Sequence, residues 1–533
     1  MAYSTLSKPA RRAKHLACAH WIESLREEEL AGVVASHYLD AYRSEPGAED
    51  AEDIADRART WLTRAAGRAS SLGSPEQAFA YASLGLTLAS AATDRAALHA
   101  LAARSAHDAG DPDAVWQHLV AACADFQALG DVVGEAMVLQ GLISFSVPRE
   151  HQKELLEQKA AVERRLPDSQ VAERVLLLTD LARMGAHSAD IAAALAHSER
   201  ALTLAQTLDD DDEGELPLRE AVSARAFVLG MAGRHLEARL LLEAAVAMAR
   251  RTGSPAAQAL ALMQFGVGIF EDDPRAALEA MMECASLSTS AGMRATQGLA
   301  LANASEGAAD LGEWDIAESA LAEAALLSRD ERDDADGATM TRAMLVAHRA
   351  DPGTALAMLD ELEVRRDHSW DMVLMHTWFL RVQSLCRYLG GDAAGAARDA
   401  ARSLDLDPSG GNASPSLWMA VQAGSALGDG GSISAALATT GGLRGQWTRM
   451  VRATGRASIC ALEDRDGAAA AMQAALDAWT AAGLPLVHAF AVVCALHVLA
   501  PSDIPQADIA RARSYLEGLR AASLLRLYDA ASA

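Results

Sequence analysis

The sequence predicts an all-α fold, an α-solenoid of about ten helix pairs of roughly 40 residues each, on three observations. Ala, Leu, Glu and Arg recur at three-and-four spacing along nearly the whole chain, whereas β-branched alternation never persists. Hydrophobic residues make up 51% of the 533 residues but aromatic ones only 5%, so the interior must be built from Ala and Leu, a composition suited to helix packed on helix. The third observation is a turn that keeps returning.

That turn is a Gly or Asp pair followed about five residues later by Ala. It occurs in GSPEQA ending at Ala78, GDPDA at Ala114, GRHLEA at Ala238, EDDPRA at Ala276, GEWDIA at Ala317, ADPGTA at Ala355 and GDAAGA at Ala396. Gly ends one helix because it takes the left-handed conformation without penalty, and Asp, Ser or Pro just after it starts the next. Ala then stands where the two helices cross most closely. From Ala238 to Ala396 the successive alanines lie 38, 41, 38 and 41 residues apart, one helix pair per repeat. The same period carried forward reaches Ala435 and Ala469, and carried backward reaches Ala192. The double interval from Ala114 to Ala192 calls for a degenerate unit turning between Pro148 and Lys153. A single hairpin cannot bury its apolar face, so neighbours stack into a superhelix. On this reading residues 1–48 are an N-terminal helical cap or linker, and 49–533 are one repeat array.

The units resemble tetratricopeptide repeats at the turn Gly, at the small residue five later, and at apolar positions such as Leu242 and Ala245 or Leu321 and Ala324. SLDLDP, Ser403 to Pro408, resembles that family's helix end. The family's period is 34, shorter than the one here, and its first-helix Trp and Tyr are mostly missing. The termini carry a finer resemblance. Arg11 to Ser44, with its acidic break and the Val34 to Leu39 helix, resembles the segment after the ATPase and winged-helix modules of bacterial signal-transduction ATPase regulators. Class III adenylate/guanylate cyclase fusions carry a similar stretch. At the other end Ala481 to Leu499 and Ile509 to Ala533 resemble the last repeats of those proteins. The resemblance implies a sensor or partner-binding arm and brings no catalytic residue with it.

Several function classes are excluded. A net charge of −25 argues against a phosphate-backbone partner, so no nucleic acid is expected, and it disfavours an anionic membrane surface. The stretch between Pro485 and Pro501 is 15 residues long with two His, where a span needs about 20, so it reads as a buried helix. No export signal is visible at the N-terminus, and a cytoplasmic location is expected. Cys18, Cys123, Cys284, Cys386, Cys460 and Cys494 form no CxxC pair and read as small core residues. The four lysines, Lys8, Lys14, Lys153 and Lys159, follow Ser, Ala, Gln and Gln, which rules out a Walker A loop. G-x-S-x-G and H-E-x-x-H are absent.

The most conspicuous local feature is the acidic run from Asp209 to Glu220. It can be written on a calcium-loop template, with Asp209, Asp211 and Glu213 at positions 1, 3 and 5, Gly214 at 6 and Glu220 at 12. Pro217 at position 9 speaks against it, and a solvated insertion loop between repeats explains the same letters. The run also contains D-D-x-x-E, a magnesium motif of helical terpene synthases, but the chain is poor in aromatics and lacks the second motif. His15, His20 and His37 do not share one helix face at metal-ligand spacing. Lys8, Arg11, Arg12 and Lys14 read as the solvated start of the first helix. Trp116, Trp314, Trp418 and Trp479 are spaced like the repeats and should be core, with one or two lining the inner face as ligand anchors.

No residue is assigned a catalytic, cofactor-binding or metal role, and no cofactor is expected. The chain reads as a non-catalytic protein- or peptide-binding scaffold or sensor in bacterial signalling or transcriptional regulation. Its excess of carboxylates favours a basic partner segment. An alternative is a detached arm that serves an upstream ATPase or cyclase module in trans. From a different class, an (α/α) enzyme would require a closed toroid with a polar central pocket.

Overall fold

The computed structural model describes residues 6–142, 146–188, 190–208, 212–270, 272–327, 335–349, 351–365 and 373–532. Among the described residues the regular structure is helical, and the only β-bridge is an isolated pair between Arg234 and Arg444. Contacts divide the chain into two compact units, the first made of residues 1–184 and 203–218, the second of 185–202 and 219–533.

The helices of the first stretch are α1 (Lys8–Ser24), α2 (Ala31–Ser44), α3 (Ala51–Ser71), α4 (Pro75–Leu86), α5 (Ala92–Ala109), α6 (Pro112–Leu129), α7 (Val132–Leu139), α8 (Arg149–Arg165) and α9 (Val171–His187). Then come α10 (Ile191–Ala205), α11 (Asp212–Met231), α12 (His235–Arg251), α13 (Pro255–Ile269), α14 (Pro274–Ser290), α15 (Arg294–Leu311), α16 (Trp314–Leu327), α17 (Ala335–Arg349) and α18 (Pro352–Arg365). The remainder are α19 (Val373–Leu389), α20 (Ala393–Leu406), α21 (Ala413–Leu427), α22 (Gly430–Thr439), α23 (Gln446–Leu462), α24 (Ala468–Ala481), α25 (Pro485–Val498), α26 (Gln506–Leu519) and α27 (Ala522–Ser532).

These 27 helices among the described residues exceed the twenty or so that ten pairs supply. The additional hairpins lie at the ends, where the turn carries no glycine signature. Arg26 after α1 and Arg520 between α26 and α27 are themselves left-handed, as is Asp464 between α23 and α24. Elsewhere the expected turn chemistry is in place. Gly110, Gly312 and Gly428 close α5, α15 and α21 in the left-handed conformation. Asp111, Asp273, Asp392 and Asp429 then cap the next helices by accepting the N–H of Ala114, Ala276, Gly395 and Ser432. Each cap satisfies one of the orphan donors of a helix start.

The register of the crossing residue needs two corrections. Counted from the cap, the buried position is four residues on: Ala78, Ala238, Ala317, Ala355 and Ala396 are fully buried there. In GDPDA and EDDPRA that position falls on Val115 and Ala277, also fully buried, whereas Ala114 and Ala276 are only half-buried. The cap position, whether or not its side chain bonds, fixes the rotation of the new helix, so the count must begin at the cap residue and not at the first Ala.

In the first unit successive helices pack in order from α1 to α8, and α3 with α5 and α5 with α7 form a second row of neighbours. Tyr38 is fully buried and donates to Glu23 at 2.6 Å, and Trp61 Nε1 donates to the same carboxylate at 3.3 Å, which ties α1, α2 and α3 together. The second unit turns in on itself. Beyond the row made by α13, α15, α17, α19, α21, α23 and α25, helix α25 also packs on α15 and α21, and α27 on α17 and α19. Every residue of α25 from Leu486 to Leu496 is buried. Among the described residues no helix is long and apolar enough to cross a membrane. In this unit the inner face of the stack is therefore covered by the chain's own last helices. Four of the six cysteines are core residues as expected, but Cys18 is exposed and Cys460 half-buried.

Candidate functional site

Where the inner helices of the second unit converge they leave a partly enclosed pocket of about 70 Å³. Its wall is mainly apolar: Phe270, Leu385, Trp418, Met419, Trp447 and Phe490 contribute most of the rings and aliphatic groups. Its polar groups are Asp310 of α15, His348 of α17 and Arg381 of α19.

Arg381 sits in the middle of an apolar run, VLMHTWFLRVQSLC, and is buried. A guanidinium in such a place requires partners, and α15 supplies two on one face, Glu306 and Asp310 at i and i+4. Arg381 donates to Glu306 Oε1 at 2.7 Å and to Asp310 Oδ2. Two carboxylates thus share one guanidinium. Burial pushes the Glu306 carboxyl up to about 7, Arg381 pulls it down and Asp310 opposes a second negative charge.

His348 is only 2% exposed, stacked on Trp314 with ring centres 5.3 Å apart and edge-on to Phe490 at 5.9 Å. Burial brings its imidazole down to about 4, so the ring is neutral at neutral pH. Its Nδ1 is buried with no hydrogen-bond partner, and so is the Nε1 of Trp447. Both are residues of the pocket wall.

The aromatic side of the wall is braced from behind. Trp479, fully buried, lies 5.3 Å from Trp418 and 5.0 Å from Trp447 between ring centres, and its Nε1 donates to Thr454 at 3.0 Å. Trp447 is also held by its backbone, since Asp272 accepts the N–H groups of Gln446 and Trp447 at the start of α23. Rotamers locked in this way give a preformed cavity.

The residues singled out from sequence fall elsewhere, with one exception. Trp418 lines the pocket; Trp314 and Trp479 are core, and Trp116 is half-buried and stacked on His151. Asp209, Asp210 and Asp211 lie outside the described residues. From Asp212 onward the acidic run is helix α11, with Pro217 inside it, so Gly214 to Glu220 form no loop. The insertion loop expected there is helix from Asp212 onward: acidic residues near a helix start are favoured by its dipole, and Pro217, the sixth residue of α11, lies inside the helix. His15 and His37, on α1 and α2, approach with their Nδ1 atoms 3.0 Å apart, while His20 lies against Tyr38. Among the described residues no group of three side chains could hold a metal ion. The start of α1 at Lys8 places Lys8 and Lys14 in solvent, and Arg12 pairs with Asp50. Sequence reasoning missed Arg381, Asp310, Glu306, His348 and Trp447. A lone Arg in an apolar helix was the available signal.

No family model matches the chain, and no curated protein matches it. Solved structures do. The chain is similar, at 13% identity and a TM-score of 0.41, to a Rap protein complexed with competence and sporulation factor, covering 74% of this chain and 98% of that one. It is similar at 14% identity and a TM-score of 0.40 to a signal-transduction ATPase with a tetratricopeptide repeat sensor from Pyrococcus horikoshii, covering 68% of this chain and 54% of that one. A third match is the apo form of the quorum sensor NprR from B. thuringiensis, at 10% identity and a TM-score of 0.33, covering 76% of this chain and 98% of that one.

Proposed function

We propose that the chain is a non-catalytic binding module of a bacterial signalling or transcriptional regulator, which holds a protein or peptide partner on its stacked hairpins. The observation that carries this reading is the pocket of the second unit, formed jointly by α15, α17, α19, α21, α23 and α25. A side chain seated there meets walls supplied by six helices and braced from behind, as in a preformed binding pocket. The residues of its wall include no Ser, Thr, Cys or Lys, and His348 is stacked between rings rather than set beside a hydroxyl or thiol. That supports binding over the (α/α) enzyme.

The test is affinity capture from the native cell with the full chain as bait, run beside a variant whose pocket is filled by Leu385→Trp. A partner recovered with the wild type and lost with the filled variant supports the reading. Equal recovery from both, or background alone from both, counts against it. An ATPase or cyclase among the captured proteins would favour the detached-arm alternative.

A further inference from the structure

We infer that the second unit's pocket takes the head of an organic cation, an alkylammonium or guanidinium group, either free or at the end of a basic side chain. This rests on the binding reading above and names the chemistry of its ligand.

Three observations converge on it. The first is charge: Asp310 and Arg381 line the pocket, and Glu306, behind the wall, shares the same guanidinium, so the cluster at the polar corner sets two carboxylates against one guanidinium. A buried surplus carboxylate is costly unless it is paired or protonated, and an incoming cation pairs it. The second is the opposite wall. Phe270, Trp418, Trp447 and Phe490 line the same space, and an aromatic ring attracts a cation, most strongly where water is excluded. The third is size. About 70 Å³ is roughly half of the cavity that admits a benzene ring, enough for an ammonium or guanidinium head on an alkyl stem but not for a ring system. Neutral His348 adds an imidazole that can accept a hydrogen bond from an N–H donor. The raised carboxyl of Glu306 fits the same picture, since burial first and then Asp310 oppose its ionisation.

A proton count follows. With the cation seated, Glu306 ionises, so binding near pH 7 releases part of a proton to the buffer.

The experiment is calorimetric titration of the full chain with n-butylammonium and with methylguanidinium, beside 1-butanol and butyrate, following Trp418 and Trp447 by fluorescence. Saturable binding of either cation, at least tenfold tighter than 1-butanol, with proton release in buffers of different ionisation heat, is the expected result. Asp310→Asn should weaken the cation at least tenfold and leave 1-butanol unchanged. If that variant does not fold, Phe270→Leu at the rim should weaken the cation severalfold. A lysine tripeptide amide against its alanine counterpart separates the two sources: a gain for the lysine peptide over butylammonium points to a partner's side chain, the reverse to a free amine, and both retain the cation. Equal binding of 1-butanol would make the pocket merely apolar, tighter binding of butyrate would make Arg381 an anion site, and no binding of any probe would remove the cation. In each of those cases a partner still lost from Leu385→Trp would leave the binding reading intact.

Discussion

Asp272 and Gln446 lie 174 residues apart in sequence, yet the Asp272 carboxylate accepts the N–H of Gln446 and, at 3.3 Å, that of Trp447. A residue of the α13–α14 turn thus does for α23 what an N-cap side chain does, since Gly445 at the N-cap position has none, and it holds one wall of the pocket. Asp272→Ala should lower stability by about 1–2 kcal/mol, the usual cost of losing an N-cap, while Asp272→Asn should retain most of it. Denaturant midpoints of the three proteins decide the matter. Equal midpoints for Ala and wild type would show that the cap contributes nothing.

Gly445, just before α23, has a φ of 151°, and a methyl group placed on it would meet Asp272 Oδ1 at 2.5 Å. Gly445→Ala is therefore expected to cost at least about 1 kcal/mol through backbone strain and steric conflict. In the Asp272→Ala background the cost should shrink, which a double-mutant cycle measures.

Trp479 is fully buried and buttresses both Trp418 and Trp447. Trp479→Ala should destabilise by about 3–5 kcal/mol, since the cavity adds to the lost transfer energy. Trp479→Phe should cost less, though Thr454 then loses its indole donor. Thermal melts together with near-UV circular dichroism would report both the loss and any loosening of the pocket wall.

Two groups of the site give opposite pH dependences. His348, brought down to about 4, is neutral in the folded chain, so its contribution is complete above pH 6.5 and is lost as pH falls toward 4. The full loss is on the order of 3 kcal/mol. Glu306, pushed up to about 7, does the reverse: stability falls as pH rises from 4.5 through 7. His348→Phe should flatten the acid side of a stability–pH curve and Glu306→Gln the neutral side. A curve unchanged by either substitution would contradict these assignments.

In the first unit, Lys159 is fully buried and donates to Asp180 at 2.7 Å and to the carbonyl of Leu139, while Asp180 also accepts the N–H of Gly141 at 3.0 Å. Burial draws the Lys159 ammonium down and Asp180 opposes it. Lys159→Met leaves Asp180 charged and unpaired, which should cost about 3–5 kcal/mol. Adding Asp180→Leu should recover part of that, as read by chemical denaturation.

Much of the architecture is local and was legible. Gly110 followed by Asp111, or Gly391 by Asp392, ends one helix and caps the next through atoms within five residues, so the turn can be read wherever its letters occur. Turns made by Arg26 and Arg520 were not legible, because any residue can be driven left-handed by the packing of the helices it joins. The buried reading of α25 followed from its length between two prolines, but nothing in those letters says that it would lie on α15 and α21.

The sequence by itself determined that this chain is a stack of helix pairs, where most pairs turn, and that its interior is built from small residues. Only the tertiary structure decided that the second unit closes on its own last helices, and that Asp310, His348, Arg381, Trp418 and Trp447 share one pocket. The physical reason is the range of the forces involved. Helix caps and periodicity act over a few residues, whereas a pocket depends on how slight rotations accumulate over six successive hairpins, and no single segment of sequence records that sum.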